Sequence, residues 1–355
     1  LIDIDIVNDR FLNKKINFMK AVHLVKYGNS ESAFEIREIP KPTPGPREVL
    51  IKVDAFGLNF ADVVARRGLY PDSPKNPAVL GYDVAGTIES IGQDVNEFTV
   101  SDRVTALTRF GGYAEYVTTM VEGVASIPDG FDTGLSTALA TQACTAYHCA
   151  VQSVNLHEGD KVLIHAAAGG VGSTLVQIAK SKGCIIYGTA SKSKLAHIKS
   201  IGVDHAIDYR NTSFYDAVHS DLGGAELDFA FDSIGGKTFK QSYKLLKPGG
   251  TIVYFGAASQ IGSNKLKALG VVAGFGLFSP IQLLMSSKSM IAVNMLRIAD
   301  HKPALFQKIF SGVMDYVEQG IIKPTLAKKF SVDQIGEAHE YLESRQSIGK
   351  VVMEW

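Results

Sequence analysis

The stretch Val162-Leu163-Ile164-His165-Ala166-Ala167-Ala168-Gly169-Gly170-Val171-Gly172 decides the fold. Val162–His165 is a short apolar run that reads as a buried strand, and Ser173–Lys180 carries helical spacing. A strand, a tight glycine turn and a helix put a phosphate at a helix N-terminus, where free backbone N–H groups and the helix dipole favour an anion. In the turn Ala168-Gly169-Gly170-Val171-Gly172, the first two glycines let the backbone approach a pyrophosphate, and Gly172 lets the helix pack closely on the strand. The spacing Ala166-x-x-Gly169-x-x-Gly172 departs from G-x-G-x-x-G. Taken alone, the glycines fit an ordinary strand-to-helix turn equally well.

The next segment favours a dinucleotide. A second apolar run, Cys184–Gly188, ends where a site for NAD places an acid on the ribose 2′-hydroxyl. Thr189-Ala190-Ser191-Lys192-Ser193-Lys194 has no acid, and no Asp or Glu occurs between Lys161 and Val203. An acid would repel a 2′-phosphate, whereas Ser191 and Lys194 can hold one. The expected cofactor is therefore NADPH, with Thr189, Ser191 and Lys194 on its adenosine side.

A chain of 355 residues suffices for two domains. Its 36 basic and 36 acidic side chains balance, which argues against a nucleic-acid partner. Cys144, Cys149 and Cys184 form no C-x-x-C pair, so neither a zinc ribbon nor a disulfide framework is expected, and the usage suits a reducing cytoplasm. Residues 1–18 are polar, have no signal-peptide cleavage site, and read as an extension before the strand that begins near Met19. Ala268–Met285 lacks charge but contains Gly270, Gly274, Gly276 and Pro280, which break a helix. It reads as a loop-helix element at an apolar cleft or subunit contact, with peripheral contact to a membrane surface as an alternative and no transmembrane span.

From Met19 to about Gly130 strand-like runs dominate: Ala21–Val25, Val49–Ala55, Val84–Ile91, Arg103–Ala106 and Tyr113–Val117. Beyond Ser136, strands Val162–His165, Cys184–Gly188, His205–Ile207, Leu227–Asp232, Thr251–Phe255 and Met290–Met295 alternate with helices. The expected class is α/β, with a β-barrel-like domain followed by a doubly wound, six-stranded parallel sheet. After Pro324 the chain returns to strand, helix (Val332–Leu342) and strand (Lys350–Met353), whose natural place is back on the first domain. The expected division is residues 1–18 as extension, 19–140 with 310–355 as catalytic domain, and 141–309 as cofactor domain.

The chain resembles the medium-chain dehydrogenase/reductase superfamily, and within it the zinc-free quinone oxidoreductase branch that includes zeta-crystallin. The resemblance covers Met19–Trp355. It rests on Gly57–Asp62, Arg67–Pro71, Gly81–Gly86, Gly111–Tyr116, Ala166–Gly172, Phe231–Gly236, Leu246–Gly250, Phe255-Gly256 and Ile348–Val352, in that order. Gly188–Ser191 and Asn264–Arg297 look most like the group named after the synaptic vesicle amine transport protein. The resemblance implies a GroES-like barrel joined to a Rossmann domain. Where zinc alcohol dehydrogenases in this superfamily carry a Cys and a Gly-His-Glu, this chain has Leu58–Asp62 and Gly81-Tyr82-Asp83. No metal is expected, which disfavours alcohol oxidation and leaves hydride delivery to an electron-poor acceptor.

The resemblance places Asn59 beside the nicotinamide and ribose, Tyr70 at the cleft mouth as donor to a carbonyl oxygen, Thr145 near the nicotinamide and Tyr209 against the 2′-phosphate. Asp62 stands with Asn59 and Tyr70 among the catalytic candidates. Asn59 and Asp62 equally suit a helix start, and Tyr70 a packed loop. Ser233, Phe255 and Gly256 end strands where open α/β sheets bind ligands, and Asn294 and Lys350 are further candidates on the nicotinamide side. His165 reads as a structural histidine. The expected activity is NADPH-dependent reduction of a quinone or enone by a dimer whose exposed sheet edge pairs with its copy. The alternatives are an enoyl-thioester reductase and a non-catalytic, membrane-associated NADPH-binding protein.

Overall fold

The computed structural model describes residues 17–257, 275 and 278–355. The proposed extension therefore lies almost wholly outside the described residues, as does much of Ala268–Met285. The part of the chain that holds the glycine turn builds one six-stranded sheet, in the order His205–Asp208, Ile185–Ala190, Lys161–Ile164, Leu227–Asp232, Leu246–Tyr254, Ser289–Ala292. Every neighbouring pair is parallel. The direction of winding reverses between Lys161–Ile164 and Leu227–Asp232, the position at which open α/β sheets bind ligands.

The expected strands fall in place with shifts of a few residues, and two differences are informative. The edge strand is Ser289–Ala292 and not Met290–Met295, because Asn294 leaves it to cap the helix Met295–His301. In the first domain, Tyr113 is buried in a loop and the strand runs over Tyr116–Met120. The Tyr113 ring there packs against Phe56, so burial comes from the core and not from pairing.

The barrel is a mostly antiparallel sheet built around the long strand Glu48–Leu58, which pairs with Asp83–Ile91, Tyr116–Met120 and the C-terminal Lys350–Glu354. Leu326–Ser331 joins it beside Lys350–Glu354. The C-terminus thus returns to the first domain as its pattern predicts. Positions 140 and 310 both lie inside helical segments, Leu139–Ala143 and Pro303–Glu318. Phe306, Ile309, Phe310 and Val313 of the latter share a core with the parallel sheet, and that core reaches Tyr82 and Leu107 of the barrel. Buried apolar area is continuous across the two domains, which fixes the cleft between them.

Candidate active site

The helix after the glycine turn spans Gly170–Ser181, with Gly169 at its N-cap and no side chain capping it. Its first N–H groups are therefore left for a ligand or solvent. Ala166 is held at φ 51°, a left-handed conformation that a non-glycine residue rarely adopts. A methyl group on Gly172 would lie 2.2 Å from the Ala166 carbonyl oxygen, so only glycine permits this approach. On Gly170 it would lie 1.8 Å from Gln142 Oε1, an atom that is buried without a hydrogen-bond partner. The turn is thus a backbone cradle whose uncapped N–H groups fit the pyrophosphate of a dinucleotide, while Gln142 Oε1 on its rim can accept only from a donor such as a ribose hydroxyl.

His165 bridges Thr189 Oγ1 (Nδ1, 3.1 Å) and Ser242 Oγ (Nε2, 2.8 Å) beneath the turn. Burial holds its pKa down, and the ring acts as a strut, as the sequence suggested. Thr189 also accepts from the Ala166 N–H at 3.3 Å. Its hydroxyl therefore braces the turn from inside and does not face the cleft.

At the far end of the groove, Ser191 starts a short turn of helix and its hydroxyl lies 3.4 Å from that of Ser193. Lys194 Nζ donates to the Ser347 carbonyl at 2.6 Å. Tyr209 is 42% exposed and follows the neighbouring strand. Arg210 adjoins both: its guanidinium lies over the Tyr209 ring, and, after burial, its charge helps to depress the Lys194 pKa. The sequence pointed to Ser191, Lys194 and Tyr209 here but not to Arg210.

The reaction side is built on the barrel. Asn59 has an extended backbone and caps the helix Phe60–Arg66; its N–H donates to Asp62 Oδ2 at 2.7 Å. Asp62 is fully buried, and burial, reinforced by nearby Asp83, pushes its pKa up to about 7. Asp62 thus holds Asn59 from behind and does not line the cleft, the capping role that the sequence left open.

Both ends of the Asn59 amide are engaged. Nδ2 donates to Asp83 Oδ2 at 2.6 Å, while Oδ1 accepts from Gln142 Nε2 and from Lys350 Nζ, each at 3.2 Å. Lys350 also forms a short ion pair with Asp83, and Thr141 Oγ1 donates to the other carboxylate oxygen. Lys350 and Asp83 are both completely buried. A side chain at Gly57 would collide with the Lys350 stem at 2.1 Å, so the space for this lysine is made by a glycine on the central barrel strand. The Gly349 N–H donates to the Ala168 carbonyl at 3.1 Å, which carries Lys350 to the edge of the glycine turn.

Thr145 donates to the Thr141 carbonyl within its own helix. Tyr70 is half-buried, and burial, with Asp72 nearby, raises its pKa. Its ring lies edge-on to Tyr82, with centroids 6.4 Å apart. Arg297 pairs with Asp72 at 2.7 Å, and Asn294 caps the helix that carries Arg297, so the Tyr70 loop is tied across the cleft to the parallel sheet. At the switch point the Phe255 N–H donates to the Asp232 carbonyl, and Ser233 and Gly256 lie in contact.

The sequence had read Asp83 only as a missing zinc ligand, and Gln142 and Thr141 not at all. Those two occupy a π-helical segment, Leu139–Ala143, whose register cannot be read from 3.6-residue spacing.

Residues 201–353 match the family described as zinc-binding dehydrogenase, and residues 45–129 the alcohol dehydrogenase GroES-like domain. The chain is 32% identical over 338 residues to the synaptic vesicle membrane protein VAT-1 homolog of Danio rerio, spanning 94% of this chain and 69% of that protein. It is 31% identical over 338 residues to a quinone oxidoreductase of Pseudomonas aeruginosa, spanning 94% and 99%. The crystal structure of Escherichia coli quinone oxidoreductase complexed with NADPH superposes with a TM-score of 0.82 at 25% identity, covering 95% of this chain and 100% of that one.

Zinc does not fit these residues. Among the described residues no three His, Cys, Asp or Glu side chains gather as a metal site. Of the two carboxylates at the expected ligand positions, Asp83 is paired with Lys350 and Asp62 accepts from the Asn59 N–H. With Asn59, Tyr82 and Asp83 where zinc ligands would stand, the chain belongs to the zinc-independent, quinone oxidoreductase-like branch of the medium-chain dehydrogenase/reductase superfamily.

Proposed function

We propose that the protein is an NADPH-dependent reductase of small electron-poor acceptors, quinones or enones. The observation that carries this reading is the uncapped glycine turn joined through Gln142 to Asn59. Phosphate recognition and the reaction centre are thereby one continuous structure. When bound, NADPH supplies a hydride, the reducing equivalent of the reaction. The backbone from Ala168 to Gly172 holds the pyrophosphate, and Ser191, Lys194, Tyr209 and Arg210 hold the 2′-phosphate. Ser233, Phe255 and Gly256 flank the groove at the switch point.

As the acceptor gains hydride its oxygen becomes an oxyanion, which needs a donor and then a proton. Asn59 has one Nδ2–H left after its bond to Asp83. In this reading the Tyr70 phenol is the proton donor, its pKa raised by burial and by nearby Asp72. A quinol oxygen can wait for solvent, whereas an enolate gains more from Tyr70.

The protein acts as a homodimer in this reading. The edge strand Ser289–Ala292 has a neighbour on one side only among the described residues, and Ile281, Leu284 and Met285 are exposed beside it. A cytoplasmic setting agrees with three free, buried cysteines. No helix among the described residues is long and apolar enough to cross a membrane.

NADPH oxidation measured against quinones, enones and acyl thioesters tests the reading. Turnover with quinones or enones, and at least tenfold preference for NADPH over NADH, is expected. Turnover confined to acyl thioesters would make it an enoyl-thioester reductase, and NADPH binding without any turnover would make the cofactor a structural ligand.

A further inference from the structure

We propose that Lys350 is a positioning residue for the reaction: a buried, built-in cation whose charge reaches the acceptor oxygen through the Asn59 amide. The proposal deepens the reductase reading and rests on it. The Lys350 ammonium is fully buried, on a strand that pairs directly with the strand carrying Gly57 and Leu58. It donates to Asn59 Oδ1 at 3.2 Å and is paired with Asp83.

Gln142 donates to the same oxygen, and Asp83 takes one Nδ2 hydrogen, so the amide cannot rotate. A cation on the carbonyl end withdraws electron density from the amide nitrogen. The remaining N–H becomes a stronger donor than that of a free asparagine, because chained hydrogen bonds polarise one another in a low-dielectric site. Thr141 adds a bond to the distal Asp83 oxygen, which leaves that carboxylate less able to cancel the ammonium. Asn59 alone would position an acceptor. Asn59 with Lys350 behind it also stabilises the negative charge that appears on the acceptor oxygen.

The probe is 4-nitrophenol, an analogue of a quinol whose ionised and neutral forms differ in absorbance, titrated into the protein holding NADP⁺. The parent protein is expected to bind the phenolate about tenfold or more tightly than the phenol, the scale of a charge-assisted over a neutral hydrogen bond. The double variant D83N/K350M removes both charges together and keeps the site neutral. Titrated at NADP⁺ concentrations that saturate it, whatever its own affinity for the cofactor, it should lose the preference for phenolate. Asn59→Ala, which leaves the ion pair intact, should lose it as well, and it serves if the double variant does not fold. A merely structural lysine would change thermal stability but not the phenolate-to-phenol ratio. Preference retained in D83N/K350M or in Asn59→Ala, or no preference in the parent, overturns the proposal. Because the ratio is read without turnover, absence of NADPH oxidation with every acceptor would sink the reductase reading separately.

Discussion

In the proposed function the glycine turn recognises charge through backbone N–H groups from one unbroken stretch, residues 168–172, and the helix N-terminus there has no side-chain cap. At the Lys350 nest they are side chains from distant segments: Asn59, Asp83, Thr141 with Gln142, and Lys350. The turn presents N–H groups that no side chain caps. The nest is closed and already holds its cation. A backbone cradle tolerates no added atom, whereas a side-chain nest tolerates no unbalanced charge. Substitution should therefore fail the two regions in different ways.

The largest effect is expected at the nest. Lys350→Met alone leaves Asp83 buried and unpaired, which costs about 3–5 kcal/mol. D83N/K350M should recover most of that loss. Chemical denaturation of the two variants and the parent checks it; equal instability of the single and double variants would mean that lost packing and not charge dominates.

Next comes the turn. Gly172→Ala meets backbone, the Ala166 carbonyl oxygen at 2.2 Å, and the turn must move. Gly170→Ala meets the Gln142 side chain, which can swing aside. Gly172→Ala should destabilise the protein by about 1–3 kcal/mol and weaken NADPH binding about a hundredfold, with Gly170→Ala clearly milder in both. Fluorescence titration with thermal melts separates them, and the reverse order would relocate the tight point of the cradle.

At the other end of the groove, Lys194→Ala should weaken NADPH by about tenfold, the worth of one charge-assisted contact, and leave NADH unchanged. Equal losses for both dinucleotides would remove Lys194 from the 2′-phosphate site. A separate prediction concerns pH. The folded chain holds the Asp62 proton more tightly than the unfolded chain does, since burial pushes its pKa up to about 7. Stability therefore falls as pH rises from about 4 to about 7, through this group. Asp62→Asn, which keeps an acceptor for the Asn59 N–H, should gain on the parent across that window and hold the gain at pH 8. Melting curves at pH 5 and pH 8 show whether it does.

The same contrast explains what the sequence made legible. The parallel sheet and its turn are written locally: Val162–Gly172 contains the strand, the bend and the helix start, and the missing acid after Gly188 is visible by inspection. The nest is written in residues about 290 positions apart, since the Lys350–Asn59 bond spans 291 residues. Asn59 and Lys350 were both suspected, yet nothing in either neighbourhood states that they touch, or that Gly57 keeps the space between them. Thr189 shows the converse, a local environment that its neighbours in sequence do not reveal. It sits in the expected cofactor segment, but its hydroxyl turns inward because buried His165 needs a partner. Arg210 lies in an exposed turn, where the local sequence does not distinguish an arginine that meets a ligand from one that serves solubility.

The most direct measurement is a single-turnover rate of NADPH oxidation by a benzoquinone after exhaustive dialysis against a strong chelator, with bound metal quantified in the same sample. With Asp83 paired to Lys350 and not available to a metal, the rate is predicted to be unchanged, no stoichiometric zinc should be found, and added zinc should have no effect. A rate lost on dialysis and restored by zinc would contradict the account.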